Sequence, residues 1–160
     1  MASLIQINNQ IRQLLQKNKL VEMFYFGTPL DLMDRSDIKY PVVCFDIQDF
    51  PQNGNTEQFP YQFWFLDQII EDYRNDEMVC SDMLMLSNDF TAQFKQSLSD
   101  SNLSSPITRQ RITADTGDRF SGIVLTCTIY QPNTFNSCQV PNGTLDNNYS
   151  FSKEITDRKS

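Results

Sequence analysis

Apolar side chains recur every three or four residues over positions 3–18. Leu4, Ile7, Ile11 and Leu14 fall on one face, Leu15 widens it, and Gln, Asn and Arg fill the other. That period predicts an amphipathic helix packed on a core, and Ser3 followed by Gln6 fits a capping box. A membrane-surface helix needs a cationic polar face; this one is mainly amides. The aromatic run KLVEMFYFG, 19–27, predicts a strand stopped by Gly27 and Pro29, with TPLDLMDRSD following as a loop or short helical turn.

Period-two alternation takes over at 41–50, where Val43, Phe45 and Ile47 share one face and Val42 and Cys44 the other. Apolar residues on both faces imply burial on both sides. PQNGNTEQFP is a long turn centred on Asn53-Gly54, and 61–67 returns as the partner strand of a hairpin. From about 76 to 98, Val79, Met83, Leu86, Phe90 and Phe94 form the stripe of a long helix, with acidic residues crowding its first turn. Met78, Met83 and Met85 on this helix are assigned to core filling rather than to a binding face. A second hairpin follows, 107–114 with 119–130, around DTGD.

Beyond Gln131 the chain turns polar and turn-rich, with scattered apolar residues unable to bury enough surface to order themselves. The expectation is one α+β domain over 1–133: a mostly antiparallel sheet of four to five strands packed by an N-terminal and a long central helix. Residues 134–160 form an extended tail, ordered if at all by lying along a neighbour.

Composition narrows the chemistry. The 160 residues include 39% hydrophobic and 12% aromatic side chains, enough for a substantial core. Twenty acids against thirteen bases give a net charge of −7, which repels phosphate backbones. Histidine is absent from the chain, which removes Ser–His–Asp and Cys–His nucleophile pairs and His-ligated metals. Cys44, Cys80, Cys127 and Cys138 form no Cys-x-x-Cys pair, and Cys44 and Cys127, in apolar strand patterns, read as buried free thiols. The first fifteen residues are too polar for a signal peptide, and no apolar run approaches the ~20 residues of a membrane helix. A cytoplasmic protein with no membrane contact is expected.

The stretch VVCFDIQDF invites comparison with the first strand of proofreading-type exonucleases, which carries Asp-x-Glu. Two metal ions ~4 Å apart need several converging carboxylates. Here Gln48 stands two after Asp46, and Asp49 turns to the opposite face. Asp67, Glu71, Asp72, Asp76 and Glu77 read as a solvated acidic loop. No catalytic residue, metal or cofactor is assigned. Arg109, Arg111 and Arg119 are close across the second hairpin and are expected to face acids of a neighbouring subunit.

The order of helix, strand, YPVVCFDI–YQFWFLDQ hairpin, EDYRNDEMVCSDM opening a long helix, and closing strand FSGIVLTCTIYQPN resembles small tail-terminator and head–tail connector (neck ring) proteins of tailed bacteriophages. Its acidic texture, rich in Phe, Tyr and Asn, is particularly similar to virion proteins of crAss-like gut phages. The resemblance covers about residues 4–133. It implies a non-enzymatic structural virion protein, made in the host bacterial cytoplasm. The protein would form a six- or twelve-fold ring at the head–tail junction or in the tail. Portal, neighbouring connector and tail proteins would adjoin it, and DNA would pass through the lumen without specific binding. Segments free to reach a neighbour are the hairpin tip, Asn53, Gly54 and Asn55, the arginines above, and Phe135, Val140 and Phe151 of the tail. The competing readings are an interaction adaptor acting as monomer or dimer, and a carboxylate-dependent metal nuclease.

Overall fold

The computed structural model describes residues 4–32, 35–47, 52–53, 56–69, 76–98, 102–103, 107–114, 120–132 and 151–156. Helix α1 (Leu4–Lys17) leads into strand β1 (Met23–Phe26) and a single 3-10 turn, Pro29–Leu32. Strands β2 (Val42–Ile47), β3 (Gln52–Asn53) and β4 (Thr56–Gln68) precede helix α2 (Asp76–Ser97). Strands β5 (Asn102–Leu103), β6 (Thr108–Ala114) and β7 (Phe120–Pro132) follow. The fold is α+β, with a mostly antiparallel sheet and two helices, as the periodicity predicts.

The sheet runs β1-β2-β4-β7-β5, with β3 also on β4 and β6 also on β7. Among the described strands, β1 and β2 pair in parallel and the other pairings are antiparallel. The spine is the β4–β7 ladder, thirteen residues on each strand, from Thr56↔Pro132 to Gln68↔Phe120. Its flanking strands are interrupted on both sides: β2 then β3 along β4, and β6 with β5 along β7.

Both helices lie on one face of this sheet. Ile7, Ile11 and Leu15 of α1 and Val79, Met83, Leu86, Phe90 and Phe94 of α2 pack on Phe24, Val43, Phe45, the run Phe59–Tyr61–Phe63–Phe65, and Ile123–Leu125–Cys127–Ile129. Asn8 lies within the buried face of α1, where its Oδ1 accepts the Tyr61 hydroxyl at 2.5 Å and so links helix to sheet. Burial pushes the Tyr61 phenol up, away from ionisation. On the opposite face a smaller cluster of Tyr25, Leu32, Val42, Cys44, Leu66 and Phe120 is covered by the chain around the 3-10 turn, with Ile38 and Tyr40 packed against it. Cys44 and Cys127 are buried free thiols, as expected. Burial raises Cys127 to about 12 and also raises Cys44, so both stay protonated and inert.

Four differences from the sequence reading have physical reasons. The first strand begins at Met23 rather than Lys19, because Asn18 closes the end of α1 and its side chain accepts the Leu20 amide. Strand β4 starts at Thr56, inside the expected turn, and contains Pro60. Pro60 falls between the β4 residues that pair with β2 (Tyr61–Leu66) and those that pair with β3 (Thr56–Glu57), where the ladder it would break is already interrupted. On α2 only Met83 is core; Met78 and Met85 are 65% and 63% exposed, because they point away from the sheet-facing stripe. Finally, residues 151–156 dock on their own subunit. Ser3 of the expected capping box lies outside the described residues.

Candidate functional site

The most elaborately built surface is the outer edge of β1. Strand β1 pairs with β2 on one side only, which leaves a row of backbone donors and acceptors. Residues 151–156 occupy that row. Phe24 N–H donates to Lys153 O at 3.1 Å and Ile155 N–H to Phe24 O at 2.9 Å, a parallel bridge between Phe24 and Glu154. Side chains fix the register. Arg12 Nε donates to Glu154 Oε2 at 2.5 Å, with both side chains largely buried. Its guanidinium also lies 5.7 Å from the Phe26 ring centroid and 5.9 Å from that of Phe45. Lys153 Nζ donates to the Asn18 and Val21 carbonyls where the chain leaves α1. Gln16 accepts from Lys153 N and donates to Ser152 Oγ. Ile155 enters the smaller cluster, and Phe151 stands edge-on to Phe24 against the larger one. This six-residue strap therefore contributes to both cores. Phe151, expected to reach a neighbour, is packed on its own subunit because Phe24 offers both an aromatic face and an open strand edge.

The second surface is the flank of β6. Arg109 and Arg111 share a face, as the alternation predicts, and that face looks along α2. Arg111 pairs with Asp76 at the start of α2, and Arg109 donates to Asn88 Oδ1. The expected acids of a neighbour are thus replaced by partners in the same chain. The register of β6 on β7 brings both arginines beside the helix, where pairing requires no association. Arg109, Lys95, Asn88, Thr91 and Ile107 line an open groove of about 320 Å³ between α2 and β6. Arg119, Gly54, Asn55, Phe135 and Val140 lie outside the described residues, and Asn53 sits in β3 paired with Thr56.

The third surface is the sheet face opposite the helices. Near β1 it is covered, but farther along the ladder Asp46, Gln58, Gln62, Thr126, Thr128 and Tyr130 are partly exposed. It is a neutral wall of amides and hydroxyls carrying one carboxylate. Asp46 Oδ1 accepts the Ile47 amide at 2.8 Å, the ordinary role of an aspartate near a strand end. Asp49 lies outside the described residues. Among the described residues no three acidic or thiol side chains converge in a metal-binding arrangement. No described helix is long and apolar enough to cross a membrane.

Of the acids grouped at the end of β4, Asp76 has an arginine partner, which spacing along the chain could not reveal. Asp67 is half-buried, and desolvation raises its pKa; the Gln68 amide partly opposes this and Asp82 adds to it. A carboxylate whose folded pKa lies above its unfolded one opposes folding while ionised; the opposition starts to fall as pH drops through the folded value and is gone below the unfolded one. Asp67→Asn keeps an acceptor for the Gln68 N–H (2.8 Å) and removes the charge. The expected result is a raised Tm at neutral pH and an unchanged Tm below about pH 3, where both side chains are neutral. Thermal melts across pH check it; a lower Tm at pH 7 would contradict the assignment. No protein-family model matches the sequence, and no curated protein matches it.

Proposed function

We propose that this chain is a structural ring component of the head–tail connector or tail of a tailed bacteriophage, joining portal-proximal and tail parts around the DNA channel. The observation that carries the reading is the β4–β7 ladder. Phe59 and Ile129 are buried, Glu57, Gln58 and Tyr130 beyond them are half-buried, and the pairing continues three registers farther, to Thr56↔Pro132. That makes a hydrogen-bonded rib running ~10 Å beyond the pair Phe59↔Ile129. A rib of this kind offers shape to another molecule, and head-to-tail packing of such copies closes rings. The amide and hydroxyl wall with the Asp46 carboxylate, in a chain of net charge −7, suits a channel lining along which DNA slides without sticking. The element order of the phage connector resemblance adds to this.

The docked strap favours one other reading, a self-contained adaptor working as monomer or dimer. Light scattering and negative-stain microscopy of concentrated protein separate the two. Rings with six or twelve times the 18.6 kDa chain mass are expected. An 18.6 kDa or dimeric particle at every concentration and ionic strength would replace the ring with the adaptor. Divalent-metal cleavage of single-stranded DNA, lost in Asp46→Asn, would replace both with a nuclease.

A further inference from the structure

We infer that residues 151–156 are an exchangeable strap: docked on their own β1 edge in a single chain, and on the β1 edge of the next copy in the assembled ring. This rests on the ring reading and adds the element that fastens one copy to the next. The described contacts of the strap are made with the first two elements of the chain, α1 and β1, and the turn between them. Among the described residues its polar contacts outside the strap go to Arg12, Gln16, Asn18, Val21 and Phe24. An identical strap from another copy would satisfy the same donors, the same Arg12 guanidinium and the same apolar seats for Phe151 and Ile155. Recognition is by strand addition, with backbone pairing at Phe24 and alternate side chains reading the register.

The path of the chain makes exchange geometrically natural. The sheet register aligns Phe24 with Val43, Phe65 and Ile123. Strand β7 then runs nine residues farther, away from that level, to Pro132 at the rib end. By strand geometry Pro132 stands ~30 Å along the sheet from Phe24, and the strap lies four strands across from β7, ~19 Å. The connection, residues 133–150, must cover roughly 35 Å to reach its own β1 edge, against a fully extended reach of ~60 Å for eighteen residues. In a head-to-tail ring whose rib end abuts the β1 side of the next copy, the same connection meets the neighbour's edge by a shorter route. Because exchange replaces each contact with its equal, the ring interface alone decides which edge is used.

Gln16 and Ser152 test this, since their contact is exposed and peripheral to the Arg12–Glu154 pair. In a Cys80→Ser, Cys138→Ser background, with Cys44 and Cys127 buried, one chain carries Gln16→Cys and a differently tagged chain carries Ser152→Cys. The two are coexpressed and treated with a short bismaleimide. Exchange gives a covalent dimer of both tags, absent when either variant is expressed alone. A companion chain bearing both cysteines reports closure within one chain. Rings by light scattering with no mixed-tag dimer, and with the companion closed on itself, would overturn exchange and leave the ring reading standing. A self-closed chain in a monomeric sample would overturn both.

Discussion

Phe63→Ala is expected to lower the unfolding free energy by about 3–5 kcal/mol, a large share of the 5–15 kcal/mol typical of a domain. Phe63 is fully buried in the middle of β4. Its ring lies 4.9 Å from Phe90 and 6.2 Å from Phe94 on α2, 6.2 Å from Phe45 on β2, and 5.8 and 6.3 Å from Tyr61 and Phe65. Removing it takes away apolar area and also the common neighbour of five other rings, whose offset and edge contacts contribute beyond area. These rings sit on β2 and β4, joined by a backbone ladder, and on α2, which packs across both, so they cannot all shift to fill the void. The loss should therefore fall near the upper end for such truncations. Urea melts with an unchanged slope measure it, and Phe63→Leu, which keeps most of the volume, should recover much of the difference. A loss under about 1 kcal/mol would mean that α2 is not seated on this part of the sheet.

The aromatic hub shows what local pattern can convey. Val79, Met83, Leu86, Phe90 and Phe94 are all buried, and so is the alternating run from Phe59 to Phe65. Helix and strand periods fix which side chains face inward, and inward-facing residues of adjacent elements must meet. The failures share a cause as well. Pro60 suggests a turn because a proline withholds a ladder donor, and only the gap between β2 and β3 makes its place in β4 tolerable. The strap failed to register because residues 151–156 have no period of their own. Its apolar pair, Phe151 and Ile155, and its charged pair, Lys153 and Glu154, acquire meaning only from residues more than a hundred positions earlier. Arg111 and Asp76, thirty-five residues apart, are legible only once β6 is laid beside α2. Asn8, a polar position that the helix pattern assigns to the solvent side, is buried because Tyr61 supplies a donor. Long-range polar complementarity leaves no periodic trace, and most of the candidate interface is built from it.

Gly122→Ala should be as damaging as the aromatic truncation, for a different reason. Gly122 pairs with Leu66 in the β4–β7 ladder, and a Cβ placed there would sit 1.8 Å from the Phe65 carbonyl oxygen. It would also lie 2.9 Å from the Phe65 carbonyl carbon and 3.1 Å from Leu66 Cα. All three are backbone atoms, so no rotamer change relieves the overlap; one strand must move away from the other. Strand β4 is held by β2 and by the aromatic layer under α2, and β7 is held by β6, so separation breaks ladder bonds on the spine of the sheet. A penalty at or above the upper end of the 1–3 kcal/mol usual for overpacking follows, a fall in Tm of about 6–12 °C for a chain of this length. Thr126→Ala, four residues along the same strand at a half-exposed position, should stay within about 0.5 kcal/mol of the parent and serves as the control. If the ladder is the rib on which copies assemble, Gly122→Ala should also lose its rings under conditions where it remains folded, because the distortion travels along the paired strands toward Thr56 and Pro132. An alanine variant melting within about 2 °C of the parent would mean that β4 and β7 do not approach so closely at Gly122. It would then undo both the register and the rib built on it.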